Sequence, residues 1–169
     1  MSSPFTPYLL AFTVLAALGS GLVAGLFFGF STAVMKALAR LPPARGMKAM
    51  QDINVVILNP VFLAVFMGTA LISAVLMLGA LLAWSGPQAA WLLAGAAAYL
   101  VGTFGVTMVA NVPLNNLLAA TDAASTQARE TWAIYLAKWV RWNHLRTLMG
   151  TLAALCFTLA ASGLRGLSP

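Results

Sequence analysis

Polar side chains are scarce in this chain, and their spacing is regular. Thr103, Thr107, Asn111 and Asn115 recur every four residues in GTFGVTMVANVPLNN, so a helix would set them in one row. The stretch WVRWNHLR puts Trp139, Asn143 and Arg146 on one helical face, with Trp142 above Arg146 and the chain's only His, His144, to one side. Asp52 and Asn59, seven residues apart, share a face from which Asn54 is turned away. One His and three carboxylates cannot furnish a di-iron carboxylate site, a bis-His haem or a tetrahedral zinc site. No Gly-rich phosphate loop precedes a strand, so bound nucleotide is not expected. Any chemistry here is expected to run without a metal or other cofactor.

The elements that must position these groups are membrane spans. Of 169 residues, 62% are hydrophobic and 7% charged, and the mean hydropathy is +0.93, whereas a soluble domain is roughly a quarter charged. About 20 apolar residues cross a bilayer, and four windows qualify: Tyr8 to Met35, Val55 to Trp84, Gln88 to Ala110, and Trp139 to Leu164 with a lead-in from about Glu130. The fold class is therefore all-α, a polytopic membrane protein with four transmembrane helices in an up-down bundle, and residues 1–169 form a single transmembrane domain. Met1 to Pro7 carries no Lys or Arg, so the first window reads as a retained span rather than a secretory signal. The sole cysteine, Cys156, lies inside the fourth span and reads as a small buried apolar residue.

Charge orients the bundle. Lys36, Arg40, Arg45 and Lys48 flank the first connection, and Arg129, Lys138, Arg141 and Arg146 flank the third, while the SGP link between spans two and three has none. The positive-inside rule makes both basic segments cytoplasmic and puts both termini outside the cell membrane, with Arg165 the one dissenting charge. The net charge of +6 is thus matched to anionic lipid headgroups rather than to nucleic acid. Pro42 and Pro43 stop the preceding helix. Beyond them, residues 44–53 set Met47, Met50 and Ile53 opposite Arg45 and Lys48, the pattern of a short amphipathic helix lying on the inner leaflet, either as a lipid anchor or as a gate for substrate. Gly21, Gly25 and Gly29 form a row of small residues on span one, suited to close packing within the chain or against a second copy.

In this orientation the start of span two, the end of span three and the start of span four share one depth. Buried polar groups in lipid pair with one another and mark sites, so Asn59, Asn111, Asn143 and Arg146 are expected in one network around a polar chamber, or else they snorkel and cap neighbouring helices. Pro60 and Pro113 each free a carbonyl that such a network can satisfy. Trp132, Tyr135, Trp139 and Trp142 fit an interfacial aromatic belt.

Three segments, ALARLPPARGMKAMQDINVVILNP, NVPLNNLLA and WVRWNHLRTLMG, together resemble the anthrone oxygenase-like family of small four-helix membrane proteins, a domain family many of whose members carry no assigned reaction. The likeness runs from about Gly25 to Leu155, and Asn59, Asn111, Asn115, Trp139, Trp142, Asn143 and Arg146 fall on its motif positions. The resemblance implies oxidation of an anthrone or similar flat phenolic substrate by dioxygen. That reaction needs a base, oxyanion donors and a dry flat pocket. His144, the chain's only imidazole, is the expected base and Asp52 the second choice. Asn111, Asn143 and Arg146 are the expected oxyanion donors, and Asn59, Thr107, Asn115, Trp139 and Trp142 the expected substrate contacts. The competing expectation is a non-catalytic protein that binds a lipid, a quinone or another hydrophobic small molecule, or an accessory subunit.

Overall fold

The computed structural model describes residues 6–83 and 86–165, and among these every regular element is helical. The elements are α1 (Pro7–Ala39), α2 (Pro43–Val56), α3 (Pro60–Ala83), α4 (Pro87–Ala120) and α5 (Ala128–Arg165). All except α2 are long and apolar enough to cross a membrane. They pack as a ring in which α5 contacts α1 and α4, and α3 contacts α1 and α4 from the other side. Its apolar centre includes Val23, Phe66, Leu92, Tyr99 and Phe157.

Length decides where a site can form. A 20-residue helix already spans about 30 Å, and α3 has 24 residues. Helices α1, α4 and α5 are longer by some ten residues or more. The excess projects at one end of the bundle, where α3 has not yet begun and α2 folds across instead. Helix α2 is fixed there by Gln51, whose amide donates to the carbonyls of Leu118 and Thr121 at 2.8 and 2.9 Å. Its apolar face turns inward. Met47 and Met50 are fully buried with Trp132, Tyr135 and Trp139, each methionine contributing about 1.5–3 kcal/mol. Lipid is therefore not what the α2 apolar face covers, and the expectation of an inner-leaflet anchor is corrected: the protein itself lies beneath it. The Trp132 ring leaves so little room at Gly46 that an added Cβ would stand 3.0 Å from it.

The boundaries of spans two and three also differ from those expected. Chain direction changes at Ile57–Asn59, and α3 starts at Pro60 rather than Val55, because proline supplies no N–H and suits a first helical position. Asn59 caps this start, its Oδ1 accepting from the Phe62 N–H at 3.0 Å. Helix α4 runs on past Ala110 to Ala120, so Asn111 and Asn115 are helical rather than terminal. It winds wide over Ala98–Gly105 and again over Thr107–Asn111, just before Pro113, where the Val112 N–H reaches back five residues to the Thr107 carbonyl. A similar wide turn covers Phe30–Val34 in α1. Trp84 and Ser85, expected at the end of span two and in its link, and the Arg165 side chain lie outside the described residues.

Two further expectations change. Added Cβ atoms at Gly21, Gly25 and Gly29 would meet nothing within 4 Å, so that row does not pack against the rest of the chain. Close approach is made elsewhere: Gly150 faces Ala24 between α5 and α1, and Gly95 faces Cys156 and Phe157 between α4 and α5. The aromatic row of α5 is not a belt. Trp132, Tyr135 and Trp139 are buried and stacked in succession, with ring centroids 5.8 and 5.6 Å apart, and only Trp142, 40% exposed, faces outward.

Candidate functional site

Beneath the α2–α3 corner lies a cavity of about 140 Å³, against the roughly 10–15 Å³ that admits one water. Its walls are apolar and largely aromatic, including Phe27, Phe30, Phe62, Phe66 and Trp139, and its polar lining is Asn54, Thr107, Asn115 and Arg146. Leu58, Leu63, Met67 and Met108 also line it and are themselves substantially exposed on the outer surface. In a membrane-spanning bundle such a mouth opens sideways toward acyl chains.

Arg146 dominates the electrostatics, although it is only 4% exposed. One guanidinium nitrogen, Nη2, donates to Asn143 Oδ1 at 2.5 Å, and Nη1 donates to Thr107 Oγ1 at 3.2 Å. The cation lies 3.9 Å from the Phe27 ring centroid and 5.2 Å from that of Trp139, close enough for both π faces to attract it. No carboxylate answers it: Asp52, Asp122 and Glu130 are all exposed, and the one ion pair among the described residues joins Asp52 to Lys48. Arginine carries five N–H donors, and its Nε has no partner among the described residues. A buried cation normally needs a counter-charge, so this one is free to meet an anion brought in by a ligand.

Asn143 holds the guanidinium in place. Its Nδ2 donates to the Phe27 carbonyl at 2.7 Å and to Ser31 Oγ at 2.6 Å, tying α5 to the wide turn of α1. Asn111 is fully buried behind the cavity and donates to the Trp139 carbonyl at 3.3 Å, while its Oδ1 and the Trp139 Nε1 have no partner among the described residues. Asn115 accepts a hydrogen bond from the Tyr135 hydroxyl at 2.8 Å, and Asn54 adjoins the same hydroxyl.

The expected residues therefore divide. Thr107, Asn115, Trp139 and Arg146 line one cavity, and Asn111 and Asn143 stand directly behind it. Asn59 does not join the network, because it is spent on the exposed cap of α3. Asp52 does not share a helix with Asn59, and its side chain is 60% exposed and paired with Lys48. Trp142 and His144 do not reach the cavity; His144 is exposed over a shallow groove with Thr32, Lys36 and Val140, on the outer side of α5. Asn54 is turned away from Asp52, as expected, but that side of α2 is the inward one, shared with the buried Met47 and Met50, so Asn54 lines the cavity. Sequence reasoning also missed Phe27, Ser31 and Tyr135. For Ser31 a signal exists, one of two adjacent hydroxyls within the otherwise apolar FFGFSTAV, but nothing in the sequence pairs it with a residue 112 positions away.

Residues 61–156, more than half of the chain, match the family model described as Anthrone oxygenase. The chain belongs to the anthrone oxygenase family. Thr107, Asn111, Asn115, Trp139, Asn143 and Arg146 fall inside the matched region, whereas Phe27, Ser31 and Asn54, which complete the cavity and its support, lie N-terminal to it. Comparisons with curated proteins and with solved structures gave no match. Among the described residues no three His, Cys, Asp or Glu side chains gather as a metal site.

Proposed function

We propose that the protein is a membrane-embedded, cofactor-independent oxygenase that oxidises an anthrone or a similar flat phenolic substrate with dioxygen. The observation that carries this reading is Arg146, a buried cation without a carboxylate partner, presented to an aromatic cavity with a lipid-side mouth. Such a substrate enters from the acyl-chain region past Leu58 and Met67 and lies against Phe27, Phe62 and Trp139. Its carbonyl oxygen meets the unspent N–H groups of Arg146. In a low-dielectric cavity this contact favours the enolate, in which the central ring is aromatic.

No imidazole or carboxylate lines the cavity, so the methylene proton is lost to water, and the cation's role is to make that loss easier. The electron-rich enolate passes an electron to dioxygen, and the resulting pair joins at the former methylene carbon as a peroxide. Loss of the second methylene hydrogen and cleavage of the O–O bond leave a new carbonyl and release water. One oxygen atom ends in the quinone and the other in water, and dioxygen takes all the electrons. A second reading, a non-catalytic receptor for a quinone or other flat lipid-soluble molecule, is favoured by that same lack of a base in the lining. Oxygen uptake by the purified protein with anthrone decides between them: uptake above the spontaneous rate supports the oxygenase, and saturable binding without uptake supports the receptor.

The same reading puts the cavity at the cytoplasmic side of the cell membrane, with both termini outside. Arg40, Arg45, Lys48, Arg129 and Arg141 are exposed at the end of the bundle that carries α2, and the positive-inside rule assigns that end to the cytoplasm. Its partners are then a hydrophobic small molecule and anionic lipid.

A further inference from the structure

The cavity has a second polar group. Arg146 and Thr107 line it at one level of α4, and Asn115, eight residues further along that helix, lines it with Asn54 of α2. The Tyr135 hydroxyl donates to Asn115 Oδ1 at 2.8 Å, which orients the amide, and its NH₂ group has no hydrogen bond among the described residues. Tyr135 is itself immobilised between Trp132 and Trp139. Both poles are thus donors: a guanidinium at one, an amide NH₂ at the other.

Two donor poles fit a ligand with an acceptor oxygen on each of two opposite edges. Thr107, which Arg146 touches, and Asn115 are eight residues, about two turns, apart on α4, so the two donors stand at different levels of the cavity. A para-quinone ring bearing two C=O bonds of about 1.23 Å places its oxygens on the order of 5 Å apart. An anthrone has only one of these oxygens; the other is the atom that oxidation installs.

We propose that Asn115, held by Tyr135, binds the second oxygen of a flat para-quinone, so that the cavity is complementary to the oxidised quinone rather than to its one-carbonyl precursor. This rests on the oxygenase reading for its consequence in turnover, since a donor that engages only once oxygen is on that carbon favours the later species over the substrate. The binding claim stands without it.

The test is a pair of affinities in detergent or nanodiscs under anaerobic conditions, read by quenching of tryptophan emission, with anthrone and anthraquinone as the probes. The unmodified protein should bind anthraquinone about tenfold more tightly, the worth of one added hydrogen bond. Asn115→Leu should bring the two affinities together by weakening anthraquinone more than anthrone. Tyr135→Phe keeps the stacked ring, frees the amide to rotate and should also shrink the ratio, which keeps the proposal testable if Asn115→Leu fails to fold. Equal affinities in the unmodified protein, or equal weakening of both ligands in the variants, overturn it. Anthrone turnover with equal affinities removes the second pole and leaves the oxygenase; tenfold preference for the quinone without turnover retains the pole and removes the oxygenase.

Discussion

Replacing Arg146 with Met separates a functional cation from a structural one. Methionine has nearly the stem length of arginine, so it fills the space between Phe27 and Trp139 and deletes only the head group. Two hydrogen bonds from a charged donor disappear, at about 1.5–3 kcal/mol each, together with a desolvated cation–π contact worth about 2 kcal/mol. Against this, the penalty of holding a cation out of water with no carboxylate beside it is several kcal/mol. Thr107 Oγ1 keeps its bond to the Thr103 carbonyl, so Asn143 Oδ1 is the one acceptor left without a partner. The two sides nearly cancel, and Arg146→Met should move the stability by no more than about 2 kcal/mol. Binding of an anionic ligand and anthrone-dependent oxygen uptake should nevertheless collapse. Thermal unfolding in detergent and oxygen-electrode measurements on one preparation check both halves. Uptake at the unmodified rate would remove Arg146 from the chemistry. Loss of the folded state would make the guanidinium a structural tie and sink the argument that its charge is reserved for a ligand.

Arg146→Lys keeps the charge but cannot reach Asn143 and Thr107 together, since an ammonium lacks the planar fork; its oxygen uptake should be nearly as low as that of Arg146→Met, and full activity would show that charge alone suffices. His144→Gln and Asp52→Asn alter exposed groups outside the cavity, so both should keep full turnover, and a large loss in kcat for either would restore it as the base. Gly25→Leu, which meets no neighbour, should leave thermal stability within about 0.5 kcal/mol, while Gly102→Ala drives a methyl into Met149 and should cost about 1–3 kcal/mol; the reverse order of melting temperatures would contradict the packing of α4 on α5. Reporter fusions at Gly86 and Gln127 should read outside and inside respectively, and the opposite pattern would put the cavity in the outer leaflet.

The sequence by itself determined the number of spans and part of the polar network, the Asn143–Arg146 pair with Asn111 buried nearby but not Asn59. Four apolar windows leave little else for the chain to be, and rare polar groups at helical spacing on α4 and α5 have to face inward in lipid, which is why Asn111, Asn143 and Arg146 were legible. What the sequence could not convey is direction after a break in periodicity. The α2–α3 corner at Ile57–Asn59 resets the helical phase, so Asp52 and Asn59 part company, and only the packing of α2 shows that the face carrying Met47, Met50 and Asn54 is the inward one. The wide turns in α4 shift the row from Thr103 to Asn115 around the axis, so Asn111 lies behind the cavity while Thr107 and Asn115 line it. Burial of the α5 aromatics depends on α2 lying over them, a contact between segments some 85 residues apart, and composition alone does not distinguish that cover from a headgroup layer. Only the tertiary arrangement decided that His144 faces outward and that Arg146 has no carboxylate beside it, because both depend on which neighbours the packed helices bring to a given face.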